Sequence, residues 1–354
     1  MTQAWLNRIG TATPPHDVHR DFVDIVRGEL ADERQTALFD RMVGLAEIDH
    51  RFSVLQGRPG PDEAKLDAEG FYRRGAFPST AARIARFQQE ALSLARQAIE
   101  RLNLGQDHAA ITHLIVASCT GFAAPGLDFQ IMRDTGLPDT VERTMVGFMG
   151  CFAAVNALKL ARHIVRSEPH AKVLVVNLEL CSLHLQDDWR LDKLLSFLLF
   201  GDGASAALVS ARPIGLALHR FATASIPETE ALITWDVGDS GFDMHLSGQV
   251  PGHIRRWLRA NGTTLLGNRA AEEIAYWAVH AGGRSILDAV QSALCLPPRS
   301  LRFSREVLRA FGNMSSATLM FVLDRILHQP AAGGGMAMAF GPGLTVETFS
   351  FHRA

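Results

Sequence analysis

Three residues of this chain stand in settings that would arm their side chains for chemistry. Cys151 lies in Val146-Gly-Phe-Met-Gly-Cys-Phe-Ala-Ala, with glycines before the thiol and an apolar, helix-like run after it. A thiol at a helix start meets unpaired N–H groups and the positive end of the helix dipole, and both favour the nucleophilic thiolate. The plain alternative is a buried, inert cysteine. His280 follows Tyr276-Trp-Ala-Val and precedes Ala281-Gly-Gly, which puts it at the end of an element, facing a cavity; a structurally satisfied histidine fits the same pattern. Asn313, in Phe311-Gly-Asn-Met-Ser-Ser-Ala, reads as a helix N-cap or as an amide donor. Cysteine and histidine can form an ion pair that activates the sulfur. Histidine and asparagine can donate to one oxygen as an oxyanion hole.

The elements that must carry these residues follow from hydrophobic spacing. Residues 82–103 and 153–166 repeat at helical period, while 113–118 and 173–177 read as buried strands. A turn at Gly201-Asp-Gly leads into a further strand. In the second half, 271–292 reads as largely helical, 304–311 as a short helix and 315–328 as a longer one. Residues 336–339 and 344–351 read as a hairpin joined by Phe340-Gly-Pro-Gly. The alternation predicts an α/β fold. Gly150-Cys151 and Gly312-Asn313 each open an apolar helix of similar length. That repetition is either coincidence or the mark of a pseudo-twofold fold with both helix starts at one centre. No linker rich in Pro, Ser or charge divides the halves, and 211–215 is the best internal boundary.

Composition narrows the class. The chain has 354 residues, 47% of them hydrophobic and 20% charged, which supports a large core and excludes bulk disorder. Its 35 Lys and Arg against 37 Asp and Glu lack the basic surplus that nucleic acid or a polybasic membrane anchor requires. Four cysteines in a chain of this length point to a reducing, cytoplasmic setting instead of a disulfide framework. The N-terminal residues lack the pattern of a signal peptide. The uncharged stretch 144–158 is too short to span a bilayer, and 330–346 is too rich in Gly and Pro, so no membrane span is expected.

Four motifs occur in order: Gly150-Cys-Phe-Ala, His280-Ala-Gly-Gly, Gly312-Asn-Met-Ser-Ser and Phe340-Gly-Pro-Gly. Ile9-Gly-Thr-Ala-Thr-Pro-Pro, Leu199-Phe-Gly-Asp-Gly-Ala and Gly343-Leu-Thr-Val-Glu-Thr accompany them. Almost the whole chain resembles the type III polyketide synthases, the chalcone synthase-like family. The resemblance implies a thiolase-like fold of two pseudo-duplicated halves in a layered αβαβα arrangement. Residues 1–212 would carry the nucleophilic cysteine, and 213–354 the histidine and asparagine. It also implies roles. Cys151 would carry the starter and growing chain as a thioester, while His280 and Asn313 would stabilise the enolate left when malonyl-CoA loses CO2. Phe200 matches the aromatic gate between CoA tunnel and cavity. Ser315, Phe340 and Gly341 match cavity wall and scaffold, and Arg51 is the candidate contact for CoA phosphates. Acyl-CoA and malonyl-CoA would be the substrates, with no metal or redox cofactor, in a homodimer.

Departures from the plant pattern concern the substrate. Cys119, Cys181 and His184 stand at cavity positions that are small or hydroxylated in the plant enzymes, and Trp235 stands where those have glycine. Met244 replaces the second aromatic gate residue, Ala124 the methionine that crosses the dimer, Ala281 a proline and Ala339 a glycine. The run from Trp235 resembles bacterial members, several of which extend fatty acyl starters to pyrones or resorcinols. Cys295 is left as a packing residue. Two other readings remain open. A ketoacyl-ACP synthase III would share the Cys–His–Asn set but depend on a carrier protein. A non-catalytic thiolase-fold scaffold would keep Cys151 as packing.

Overall fold

The computed structural model describes residues 2–30, 32–57, 64–267 and 269–354. Nine strands form one sheet, in the order Tyr276–Val279, Gly333–Gly341, Thr345–Arg353, Leu216–Ser225, Trp5–Ala12, Asp202–Ser210, Val173–Leu180, His113–Ser118 and Glu142–Gly147. The two halves join through a short antiparallel pairing, Trp5 with Ala217 and Leu6 with Leu216. His113–Ser118 pairs in parallel with both of its neighbours, and Tyr276–Val279 pairs in parallel with Gly333–Gly341. The remaining pairings are antiparallel.

Burial on both faces explains the unbroken apolar runs of the central strands. In Val173–Leu180, Val173 and Val175 enter one hydrophobic cluster, and Leu174, Val176 and Leu178 enter another on the opposite face. In Gly333–Gly341, Ala337 and Ala339 enter the first cluster, while Met336, Met338 and Phe340 enter a third. The shared first cluster is filled by helices Ala153–Ser167 and Ser316–Leu327, which touch each other between the sheet halves. Helix Thr80–Leu102 covers one outer face; Val250–Leu265 and Arg284–Ala293 cover the other. The result is the layered helix–sheet–helix–sheet–helix arrangement. Thr80–Leu102 starts where Ser79 Oγ accepts the N–H of Ala82 at 3.3 Å and ends at left-handed Asn103.

The helical reading of 271–292 needs correction. Tyr276–Val279 is a fully buried strand, and a helix begins only at Arg284. Gly282 and Gly283 break the run, and the aromatic and β-branched residues before them pack as well on a sheet as on a helix. The 336–339 and 344–351 hairpin is present and longer, as Gly333–Gly341 against Thr345–Arg353. Cys295 is exposed at a left-handed turn, not packed inside. Among the described residues no helix is long and apolar enough to cross a membrane.

Candidate active site

Cys151 sits in a single 3-10 turn, Gly150–Phe152, that runs into helix Ala153–Ser167. Gly150 has φ +74°, and a Cβ there would lie 2.3 Å from Pro342 Cδ. A Cβ on Gly341 would lie 2.7 Å from the Phe152 ring and 3.4 Å from the Cys151 nitrogen. The loop between the last two strands therefore clamps the thiol turn. His280 ends strand Tyr276–Val279; its N–H donates to the Met338 carbonyl at 2.8 Å. Its two ring nitrogens are buried and have no hydrogen-bond partner among the described residues. Asn313 is not an N-cap, because helix Ser316–Leu327 starts three residues later. Its N–H donates to Leu199 O at 2.8 Å, and its carbonyl accepts from Gly201 N–H at 2.9 Å, tying it beside Phe200. Asn313 Oδ1 accepts from Ser315 N–H at 2.9 Å, and Nδ2 donates to Gly282 O at 3.2 Å. Cys151, His280 and Asn313 all line one cavity of about 490 Å³. Phe200, Met244, Phe340 and Gly341 line it too, and Met42, Leu45, Gly248, Arg284 and Asp288 belong to the same wall.

A smaller pocket of about 40 Å³ lies on the far side of the thiol. Cys119, Cys181, His184, Trp235 and Ser315 line it together with Cys151, Phe200 and Met244. Trp235 and Met244 are direct cross-strand partners in the hairpin Ile233–Gly238/Gly241–Leu246, so they face the same side. The Trp235 indole donates to Cys119 O at 2.7 Å. His184 uses both nitrogens structurally: Nε2 is 2.7 Å from Thr120 O, and Nδ1 accepts from Phe242 N–H at 3.1 Å. Its ring stacks on Phe242 at 4.2 Å, and burial pushes its pKa down to about 3, so it is a neutral pillar of the wall.

Residues 2–213 match the family model for the chalcone and stilbene synthase N-terminal domain, and 217–354 match that for the C-terminal domain. The chain belongs to the chalcone and stilbene synthase family. It is thus a type III polyketide synthase, an acyltransferase of decarboxylative condensation, whose family takes acyl-CoA and malonyl-CoA. It is 34% identical to bisdemethoxycurcumin synthase of Oryza sativa subsp. japonica, over 97% of this chain and 91% of the relative. The type III polyketide synthase domain of the Dictyostelium hybrid Steely1 superposes with a TM-score of 0.90 at 25% identity, over 99% of each chain. PKS-I of the brown alga Ectocarpus siliculosus superposes with a TM-score of 0.87 at 26% identity, over 100% of this chain and 99% of that one. Of the readings left open by the sequence, the polyketide one holds.

The electrostatics of the synthase depart from the expectation of a primed thiolate. Burial pushes the Cys151 thiol up to about 12; hydrogen bonds from Ser315 and Asn313 draw it down, and the charge of Glu179 pushes it up again. Burial holds His280 down at about 3. Burial thus works against a Cys151–His280 ion pair, lifting the thiol and lowering the imidazole. Glu179 itself escaped the sequence reading. Its Oε2 accepts from Cys119 N–H and Thr120 Oγ1, each at 2.9 Å, and Oε1 accepts from Ser316 Oγ at 2.5 Å. Burial raises it to about 7. The available signal was a lone carboxylate inside the apolar strand Val173–Leu180.

Arg51 is also not where the resemblance put it. It is 4% exposed and absent from the large cavity's wall. Its Nη1 donates to the carbonyls of Phe197 at 2.5 Å and Phe200 at 2.7 Å, and its Nε donates to His19 Nδ1 at 2.9 Å. A buried guanidinium so engaged braces the backbone at Phe197 and Phe200. The charged side chains in the large cavity's wall are Arg284 and Asp288.

Proposed function

We propose that Cys151 is the acyl carrier and that His280 and Asn313 form the oxyanion site of a synthase extending an apolar starter. The observation that carries this reading is the convergence of three side chains on one cavity, with both His280 ring nitrogens unpartnered. In loading, the Cys151 sulfur attacks the starter thioester and its proton passes to His280. The C–S bond to CoA breaks, and CoA leaves as the thiol on taking up that proton. In extension, malonyl-CoA loses CO2, and the electron pair of the broken C–C bond forms an enolate whose oxygen accepts from a His280 ring N–H and Asn313 Nδ2. The enolate carbon then bonds to the acyl carbonyl of Cys151 and releases the sulfur. Burial favours this use of His280, because a neutral imidazole donates one N–H without bringing a charge into a dry site. The Met244, Trp235 and Ile233 wall suits an alkyl starter, cyclised after extension to a pyrone or resorcinol. The chemistry assigns no role to a metal or redox cofactor.

Asn313→Ala should lower malonyl-CoA decarboxylation by about 10²–10³-fold, as loss of an oxyanion donor does elsewhere. Cys151→Ala should abolish product while leaving some decarboxylation. Both are read from CO2 release and product mass spectra, and an unchanged decarboxylation rate in Asn313→Ala would refute the oxyanion role. A homodimer is part of the proposal. Strand Glu142–Gly147 is the sheet edge, and Phe122, Phe129, Met145, Phe148 and Met149 are exposed around it. Such an edge with an apolar surround favours a second copy of the chain. Free cysteines at 119, 151, 181 and 295 support a reducing, cytoplasmic location.

A further inference from the structure

We propose that the face around the mouth of the large cavity docks on an anionic lipid surface. An aliphatic strip of helix Glu33–Ala46 would enter the acyl layer, and an arginine row of helix Val250–Leu265 would meet the headgroup phosphates. The chain has no net basic surplus, but its cations are unevenly placed. Helix Val250–Leu265 carries Arg255, Arg256, Arg259 and His253 and no carboxylate. Its core side is Val250, Ile254, Leu258, Gly262 and Leu265, so the three arginines fall outside that face, and all are exposed. Among the described residues none of the three lies in a salt bridge, and Arg259 Nη2 donates to Ser292 Oγ at 3.4 Å.

This helix starts at the cavity. Leu45 and Asp288 line the cavity and are also exposed, which places its opening among helices Glu33–Ala46, Val250–Leu265 and Arg284–Ala293. Val250 and Pro251 line it as well. Pro251, Arg255 and Arg259 follow one another at one-turn spacing, so the arginine row leads away from the opening. The carboxylates of the same rim are already engaged. Arg284 lies 3.5 Å from Glu47 and 3.4 Å from Asp288, and Arg305 donates to Asp288 at 2.6 Å. The row therefore keeps its charge for a partner.

The facing rim is aliphatic. Leu38, Met42 and Leu45 share one side of helix Glu33–Ala46, and Met42 and Leu45 line the cavity. Leu38 is 44% exposed and Leu45 51%. Exposed Arg34 and Arg41 flank the strip. Of the acids on this helix, Asp40 pairs with Arg27 at 2.9 Å, and Glu33 lies at the end away from the cavity. Leucine is under-represented at the centres of protein interfaces, which favour Trp and Tyr, and the strip exposes no aromatic ring. A lipid surface takes both features at once, leucines in the acyl layer and arginines at the phosphates. The cavity then opens at the lipid, and an alkyl product leaves into the acyl layer instead of into water. That consequence rests on the alkyl-starter reading; the docking itself does not.

The test is flotation of the purified protein with lipid vesicles at low salt. Vesicles of equal parts phosphatidylglycerol and phosphatidylcholine should carry the wild type upward, and phosphatidylcholine alone should not. Arg255→Gln should lower the partition coefficient about fivefold, and the double variant with Arg256→Gln about 25-fold, the effect of one and two arginines at an anionic surface. Leu38→Ser should lower it about fivefold through lost apolar contact. Arg96→Gln, on helix Thr80–Leu102 over the opposite outer face, should leave it unchanged. All are exposed positions, and thermal unfolding of each variant checks that it is folded. Failure of the wild type to float with anionic vesicles overturns the proposal and leaves the arginine row to an acidic protein. Equal binding to neutral vesicles, an unchanged coefficient in the double variant, or an equal fall in Arg96→Gln overturns it too.

Discussion

The Cys151 thiol is harder to ionise than its position before a helix suggests. A helix terminus supplies about 0.3–1 kcal/mol. A shift from 9.0 to about 12 corresponds to several times that, so desolvation wins over the dipole. Iodoacetamide should therefore reach exposed Cys295 first at mildly alkaline pH, with Cys151 lagging behind. Peptide mapping decides this, and early labelling of Cys151 would restore the primed thiolate. Glu179 gives a pH effect with a definite sign. Its pKa rises from 4.5 when unfolded to about 7 when folded, so the unfolded chain releases the proton first as pH rises. That group then lowers stability progressively between about pH 4.5 and pH 7. Denaturant titrations should show the stability difference between wild type and Glu179→Gln shifting in favour of the variant across that window. A pH-independent difference would rule the linkage out.

At the scale of elements, the proposed active site is a meeting of strand ends and helix starts. Strand Tyr276–Val279 delivers His280, the 3-10 turn before Ala153–Ser167 delivers Cys151, and the bridge beside Phe200 delivers Asn313. The Phe340-Gly-Pro-Gly loop keeps the thiol turn in register through close packing at Gly341 and Pro342. Gly341→Ala forces a methyl against the Phe152 ring. It should cost about 1–3 kcal/mol of stability and lower kcat more than it raises KM, because the thiol is displaced while the large cavity persists. Thermal unfolding and steady-state kinetics test this; a wild-type kcat would show that the clamp is dispensable. The strand Tyr276–Val279 within 271–292 belongs at this scale as well. A short buried strand and a buried helix share the same apolar signature, and only pairing with Gly333–Gly341 separates them.

At the scale of the whole molecule, two sheet halves pack around a shared pair of central helices, and the exposed edge lies at Glu142–Gly147. Met145 pairs in register with Val116 on the neighbouring strand, and its side chain is 40% exposed. Met145→Lys places a charge in that apolar edge and should move the protein from dimer to monomer in sedimentation velocity. A wild-type protein that sediments as a monomer would overturn the dimer proposal. The near-zero net charge also takes on meaning here. With no surplus of positive charge over the surface, the cation in the large cavity's wall is Arg284, paired there with Glu47 and Asp288.

The sequence by itself determined the α/β class, the family and the identity of the three central side chains. Those depend on local patterns: glycine before cysteine, an apolar run before histidine, and motifs in fixed order. Only the tertiary structure decided what surrounds them. Burial raised Cys151 and lowered His280, and it turned Arg51 from an expected phosphate contact into a brace for the backbone at Phe197 and Phe200. Glu179 became the shared acceptor for Cys119 N–H, Thr120 Oγ1 and Ser316 Oγ, residues far from it in the chain. Desolvation and cavity shape are set by residues far apart in the chain, so no local pattern records them.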